Sequence, residues 1–124
     1  MNQMTNYFLD TYALIEIIKG NKNYQKFLEF ELFTSIFNLY ELYFLLLRDY
    51  NQQTAKKFFE QFKSRVLQIK DEYIFEASKF KLQNRKQKLS YADCLGYTIA
   101  LSYNMKFLTG DGEFKDKKNV EFIK

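Results

Sequence analysis

The chain contains no histidine and one cysteine, Cys94. Without histidine there is no Ser-His-Asp or Cys-His nucleophile and no histidine-ligated zinc. A lone cysteine excludes an internal disulfide and a thiolate metal cage, and it fits a reducing, cytoplasmic compartment. Any metal must therefore be a hard cation held by oxygens, such as Mg2+ or Mn2+. Proline is absent, and so are repeats, linkers and low-complexity tracts. Long apolar runs are missing too. The longest, "LYELYFLLL" at 39–47, is interrupted by Glu41 and is too short to cross a bilayer. The start of the chain, MNQMTNYFLD, is polar and has no apolar signal-peptide core. No membrane partner is expected.

What is present fits one folded domain over 1–124. Hydrophobic residues make up 47% of 124 positions, enough to build a core. Nineteen basic residues stand against 15 acidic ones, for a net charge of +4. That is a mild lean toward anionic partners, and it grows if some acids are sequestered at a metal.

Strand and helix patterns alternate. Strands are expected at 6–10, 32–36, 65–69, 106–109 and 120–123. Helices are expected at 11–20, closed by Gly20, and at 23–30, 37–50, 52–64, 72–86 and 90–104. Ala55, Phe58, Phe59 and Phe62 share one face of helix 52–64. This alternation predicts an α/β fold, a three-layer α/β/α sandwich around a parallel sheet of four to five short strands. In such sheets ligands sit at the carboxyl ends of the strands.

Four carboxylates can meet at that edge. Asp10 ends the first strand, where it also suits the N-cap of the next helix. Asp93 lies in "SYAD", where Ser90 and Asp93 match a capping box. Asp111 follows strand 106–109 in "FLTGDGEF" and can cap a short turn. Glu41 lies inside a helix with Phe37, Asn38, Phe44 and Leu45 three and four positions away. A carboxylate on that face has to be paired, protonated or bound to a cation. Glu16, beside Lys19 and Gly20, can instead sit at the wet edge of its helix. Carboxylates held together repel one another unless a divalent cation neutralises them, and phosphodiester hydrolysis is the chemistry that uses such a site.

These residues resemble the PIN domain and, within it, the VapC-type toxins of toxin–antitoxin pairs. The resemblance rests on "YFLDTYALIE", "NLYELYFLL", "SYADCLGYTIALSYNMKFLTGDGEF" and a final short strand, and it spans nearly the whole chain. Asp10, Glu41, Asp93 and Asp111 match the four motif acids, and Thr109 matches the motif threonine. The resemblance implies a Mg2+- or Mn2+-dependent endoribonuclease with those acids as catalytic and metal-binding residues. It also implies a homodimer silenced by an antitoxin protein. Glu113, next to the last acid, departs from the pattern and reads as an outer-shell ligand or a solvated residue. Thr109 reads equally as a hydroxyl that orients a metal-bound water or as a turn cap.

The run "KFKLQNRKQK" carries Lys79, Lys81, Arg85, Lys86 and Lys88 just ahead of Asp93. These residues can guide an RNA backbone, or simply form a solvated helix face. One or two rim tyrosines can stack on unpaired bases. Helix 37–50 is apolar nearly all round, and Tyr43, Leu46, Leu47 and Tyr50 are expected to form a partner surface. Cys94 reads as a core residue. Two rival functions remain: a PIN nuclease of RNA maturation with no antitoxin, and a silent PIN interaction module. The intact acidic quartet counts against the second. A haloacid-dehalogenase-type phosphatase needs an acid two residues after Asp10, where Tyr12 stands.

Overall fold

Strand β1, Asn6–Leu9, sends alternate side chains to opposite faces: Tyr7 and Leu9 to one core, Phe8 to another. A strand apolar on both faces needs helices above and below it, and that requirement sets the architecture. The computed structural model describes residues 5–124. Residues 1–4 of the expected 1–124 domain, with the polar start of the chain, lie outside the described residues.

The other strands are β2 (Glu31–Phe33), β3 (Lys106–Thr109) and β4 (Val120–Phe122). All pair in parallel, in the order β2-β1-β3-β4. The expected central parallel sheet thus has four strands. Helices α1 (Thr11–Ile18), α2 (Ile36–Asp49) and α3 (Gln52–Lys63) cover one face, with a 3-10 helix at Lys22–Glu29. Leu9, Leu14, Leu39, Leu42, Leu46 and Leu108 fill that core. Helices α4 (Asp71–Gln83) and α5 (Tyr91–Ser102) cover the other face over Phe8, Phe107, Tyr97 and Phe114. Phe8 and Phe107 stack at 5.9 Å, and α5 rests directly on this pair through Gly96.

Several expectations need correction. Residues 65–69 do not form a strand. Val66 makes a single bridge to Thr34, framed by Thr34 N–H donating to the Arg65 carbonyl and Leu67 N–H donating to the Thr34 carbonyl, both at 3.0 Å. Ser35 then caps α2 and turns the chain out of the sheet, so a partner for 65–69 ends after one residue. Helix α4 stops at Gln83, not 86, because the Asn84 side-chain amide donates to the Phe80 carbonyl at 2.8 Å and Asn84 leaves helical geometry. Segment 23–30 is helical but mostly 3-10. Strand β2 ends at Phe33.

The α2 surface is also repartitioned. Leu46 is buried and Tyr43 packs edge-on against Phe59 of α3, so neither is a free surface. The exposed stripe runs instead through Phe37, Tyr40, Phe44 and Leu47, with Tyr50 beyond. Cys94 is buried in the second core, as expected. Among the described residues no helix is long and apolar enough to cross a membrane.

Candidate metal and phosphodiester site

A parallel β-α unit places the start of each helix at the carboxyl edge of the sheet, and all four acids use that rule. Asp10 directly follows β1 and caps α1: its Oδ1 accepts from Ala13 N–H at 2.8 Å. Asp111 follows β3 after one glycine and caps a three-residue 3-10 turn, Gly112–Phe114, through Glu113 N–H at 3.0 Å. Asp93 belongs to the capping box of α5, exchanging 3.0 Å bonds with the Ser90 hydroxyl and amide. Glu41 lies in α2 roughly 8 Å along the axis from its start, and its Cα–Cβ bond leans back toward the edge. The four side chains line one open cleft of about 440 Å3 with Thr11, Ser90, Gly110 and Lys124.

The capping readings of Asp10, Asp93 and Asp111 are therefore all realised, and they do not compete with a shared site. Capping fixes where each carboxyl group stands.

Glu41 is half-buried, not walled in by apolar groups as its neighbours in sequence suggest, because Phe37 and Phe44 point to solvent. It makes no ion pair among the described residues. Its Oε1 accepts from the Thr11 hydroxyl at 2.8 Å. Thr11 Oγ1 in turn accepts from the Asn38 amide at 3.2 Å, and Asn38 Oδ1 accepts from the Ser35 hydroxyl at 2.6 Å. Asn38 and Ser35 are fully buried. Thr11, Ser35 and Asn38 thus form a polar bracket behind Glu41 that the motif reading missed. Its one visible signal in the sequence is an asparagine three residues after Ser35 at the start of a mostly apolar helix.

Thr109 joins two of the acids. Its hydroxyl donates a short hydrogen bond to Asp10 Oδ2 and accepts from Asp111 N–H at 3.0 Å. The turn-cap reading of Thr109 is present in the geometry, with its proton committed to Asp10. Gly110 has to be a glycine: a Cβ there would fall 2.1 Å from the Tyr12 ring and 2.6 Å from the Ile123 carbonyl oxygen.

Burial dominates the electrostatics of the cleft, and the neighbouring acids add to it. Burial raises the Asp10 carboxyl to about 7; the hydrogen bonds from Thr109 and Ala13 oppose the rise, while Asp93 and Asp111 add to it. Burial also raises Asp93, with Asp111 and Glu41 contributing. No ion pair among the described residues involves any of the four acids. The donors are all hard oxygens, the type that Mg2+ or Mn2+ takes. As they stand, no three acidic, histidine or cysteine side chains among the described residues are grouped to hold one ion. The residues fit a divalent cation by donor type, uncompensated charge and shared cleft.

The basic run divides. Lys79 pairs with Glu76 at 3.4 Å. Lys81 donates to the Leu89 carbonyl at 2.5 Å and sits 4.6 Å from the centre of the exposed Tyr91 ring. Arg85 bonds the Leu82 carbonyl at 3.1 Å. Lys86 and Lys88 stand exposed in the loop leading to Ser90. Glu113 lies outside the four-acid cleft and bonds Gln87 at 2.9 Å. Glu16 sits at a helix end bonded to Asn21, with Lys19 3.9 Å away.

Comparisons with known proteins agree with this architecture. The family model described as "PIN domain" matches residues 7–120. No curated protein matches the chain. Among solved structures, VapC20 from Mycobacterium tuberculosis, a sarcin-ricin loop cleaving toxin, superposes with a TM-score of 0.78 at 16% identity, covering 94% of this chain and 96% of that one. VapBC-1 from nontypeable Haemophilus influenzae gives 0.73 at 20% identity, covering 96% and 97%. VapBC2 from Rickettsia felis, bound to a DNA fragment from its promoter, gives 0.72 at 21% identity, covering 96% and 98%.

Proposed function

Because the chain belongs to the PIN domain family, we propose that it is a metal-dependent endoribonuclease, the toxin of a toxin–antitoxin pair. The observation that carries this reading is the single cleft lined by Asp10, Glu41, Asp93 and Asp111, each placed by its own element and none in an ion pair among the described residues. These four side chains would hold Mg2+ or Mn2+, which when bound supplies a lowered water pKa and charge stabilisation at the scissile phosphate.

The chain's own residues do the rest. Thr109 and Ala13 N–H hold the Asp10 carboxyl in one orientation at the floor of the cleft. The Thr11–Asn38–Ser35 bracket turns Glu41 inward, and the α5 capping box fixes Asp93. Lys124, on the same rim, and the exposed Lys86 and Lys88 provide attraction for an RNA backbone. Two apolar surfaces suit protein partners. One is the α2 stripe of Phe37, Tyr40, Phe44 and Leu47. The other is a groove of about 530 Å3 between α4 and α5, lined by Phe37, Ile74, Leu82, Tyr91 and Leu95. An antitoxin and a second copy of the chain are the proposed occupants; the VapBC assemblies among the structural neighbours support the antitoxin.

The test is cleavage of single-stranded RNA. Activity should require Mg2+ or Mn2+, disappear in chelator, and be lost in Asp10→Asn with the fold intact. Full activity in chelator, or an active Asp10→Asn protein, overturns the assignment.

A further inference from the structure

Asp111 is placed by the shortest element of the four, a turn anchored at its far end by fully buried Phe114. Asp10 caps an eight-residue α-helix, Asp93 sits in a capping box of a twelve-residue one, and Glu41 leans on a buried bracket. Asp111 stands on a three-residue 3-10 turn between two glycines. Space around Gly112 is open, with nothing within 4 Å of where a Cβ would stand, so packing does not hold that side of the turn.

Side-chain bonds from across the molecule do. The Gln87 amide donates to the Glu113 carbonyl at 3.1 Å and to Glu113 Oε2 at 2.9 Å. Its own oxygen accepts from Lys117 Nζ at 2.7 Å, and Lys117 also reaches Asn84 Oδ1 at 3.3 Å. These partners fix the amide orientation: turned over, it would set its NH2 against an ammonium and its oxygen against a carboxylate. Glu113 N–H then donates to Asp111 Oδ1. A continuous path runs from Lys117 through Gln87 and Glu113 to the Asp111 carboxylate.

We propose that Gln87 and Glu113 form a latch that positions Asp111, and that Glu113 serves through this bond rather than as a fifth metal ligand. Glu113 lines a neighbouring cavity with Gln87, Asp116 and Lys117; Asp111 and Gly112 border both that cavity and the four-acid cleft, whereas Glu113 borders only the first. The inference rests on the nuclease reading for its consequence, since a loosened Asp111 weakens the cation site. The latch itself is a matter of geometry. Gln87 is thus a positioning residue carried by the same loop as Lys86 and Lys88.

The experiment compares Gln87→Ala, Glu113→Ala and Glu113→Gln with the parent chain. Hydrogen exchange is measured at the Glu113 amide, Mn2+ affinity by calorimetry without RNA, and kcat and KM on single-stranded RNA. The two alanine variants should speed exchange at Glu113 and weaken Mn2+ about tenfold, the usual effect of losing an outer-shell partner. They should lower kcat with KM unchanged. Glu113→Gln keeps an acceptor oxygen for the Gln87 amide and should behave as the parent. A Glu113→Gln protein as impaired as Glu113→Ala would show that the charge itself matters and overturn the latch. So would alanine variants with parental exchange. If the parent neither binds Mn2+ nor cuts RNA, the nuclease reading fails, and the exchange data alone still decide whether the latch exists.

Discussion

Asp10 is both a helix cap and a buried carboxyl group among like charges, and the two roles pull its stability contribution in opposite directions. It is 2% exposed, and its carboxyl is raised from 3.8 to about 7 in the metal-free protein. Below the unfolded value the group is protonated in both states and costs nothing. Between about 4 and 7 the unfolded chain ionises while the folded chain keeps its proton, so stability falls as pH rises through that window. Above it the penalty is constant, with a ceiling on the order of 4 kcal/mol at about 1.4 kcal/mol per pKa unit. Asp93 acts in the same direction. Asp10→Asn keeps an acceptor for Ala13 N–H and removes the charge. In chelator it should melt several degrees above the parent at pH 8, and the difference should vanish near pH 4. Thermal melts at the two pH values check this, and a variant less stable than the parent at pH 8 would show that the Thr109 bond to the carboxylate outweighs burial. The same substitution should abolish the proposed activity, so stability and function are expected to separate at one atom.

At the scale of elements, the seat of α5 on the sheet decides where Asp93 points. Gly96, one turn beyond Asp93, has the Phe8 ring 2.6 Å and the Phe107 ring 3.3 Å from the position of a Cβ. Both rings are fully buried and stacked, with nowhere to move. Alanine improves helix propensity by about 1 kcal/mol, but overpacking this contact costs roughly 1–3 kcal/mol, so Gly96→Ala should be net destabilising and should displace Asp93. Urea unfolding measures the first effect and Mn2+ affinity the second; a more stable variant would mean α5 can lift off freely. This seat was not visible in the sequence, where Gly96 is one small residue in a helical run. What could be read were features set by short-range rules: β1 and β3 from their apolar runs, α1 from Asp10 to Gly20, and α5 from its Ser90–Asp93 box. Asp10, Asp93 and Asp111 were legible as strand-end and helix-start residues because capping and sheet-edge geometry are local, and Glu41 as an acid inside a mostly apolar helix. Strand 65–69 was misread because its apolar pattern suits a strand but its neighbour, Thr34, turns away after one bridge. Glu41's surroundings were misread because spacing along α2 says which residues are near, not which face α3 covers. The Thr11–Asn38–Ser35 bracket and the Gln87–Glu113 latch join distant segments and leave no spacing to find.

Across the whole molecule, charge is segregated. The chain carries +4, yet its cleft is lined by four acids and by Lys124 as its sole cation among the described residues. In the metal-free protein such a cleft attracts any cation, including one delivered by a partner. An exposed aromatic surface lies beside it. Tyr40 and Phe44, 73% and 56% exposed, flank Glu41 and border a smaller cavity of about 370 Å3 with it. A partner segment that lays apolar side chains along Phe37, Tyr40, Phe44 and Leu47 therefore ends next to a carboxylate of the site. An arginine at that end can pair with carboxylates in a fork and compete with the divalent ion. Anchoring then comes from aromatic contact and inhibition from charge. The expected result, on co-expression with the protein encoded upstream, is a complex with little ribonuclease activity that recovers as Mn2+ is raised. Changing the partner's arginines to alanine one at a time should relieve inhibition while leaving the complex assembled. Phe44→Asp on this chain should disassemble it while sparing the activity of the free chain. An assembled complex whose inhibition responds neither to Mn2+ nor to any arginine change would place the block outside the acidic cleft and overturn the competing-cation mechanism. Failure to assemble at all, with no toxicity of the chain alone, would favour a nuclease of RNA maturation over a toxin.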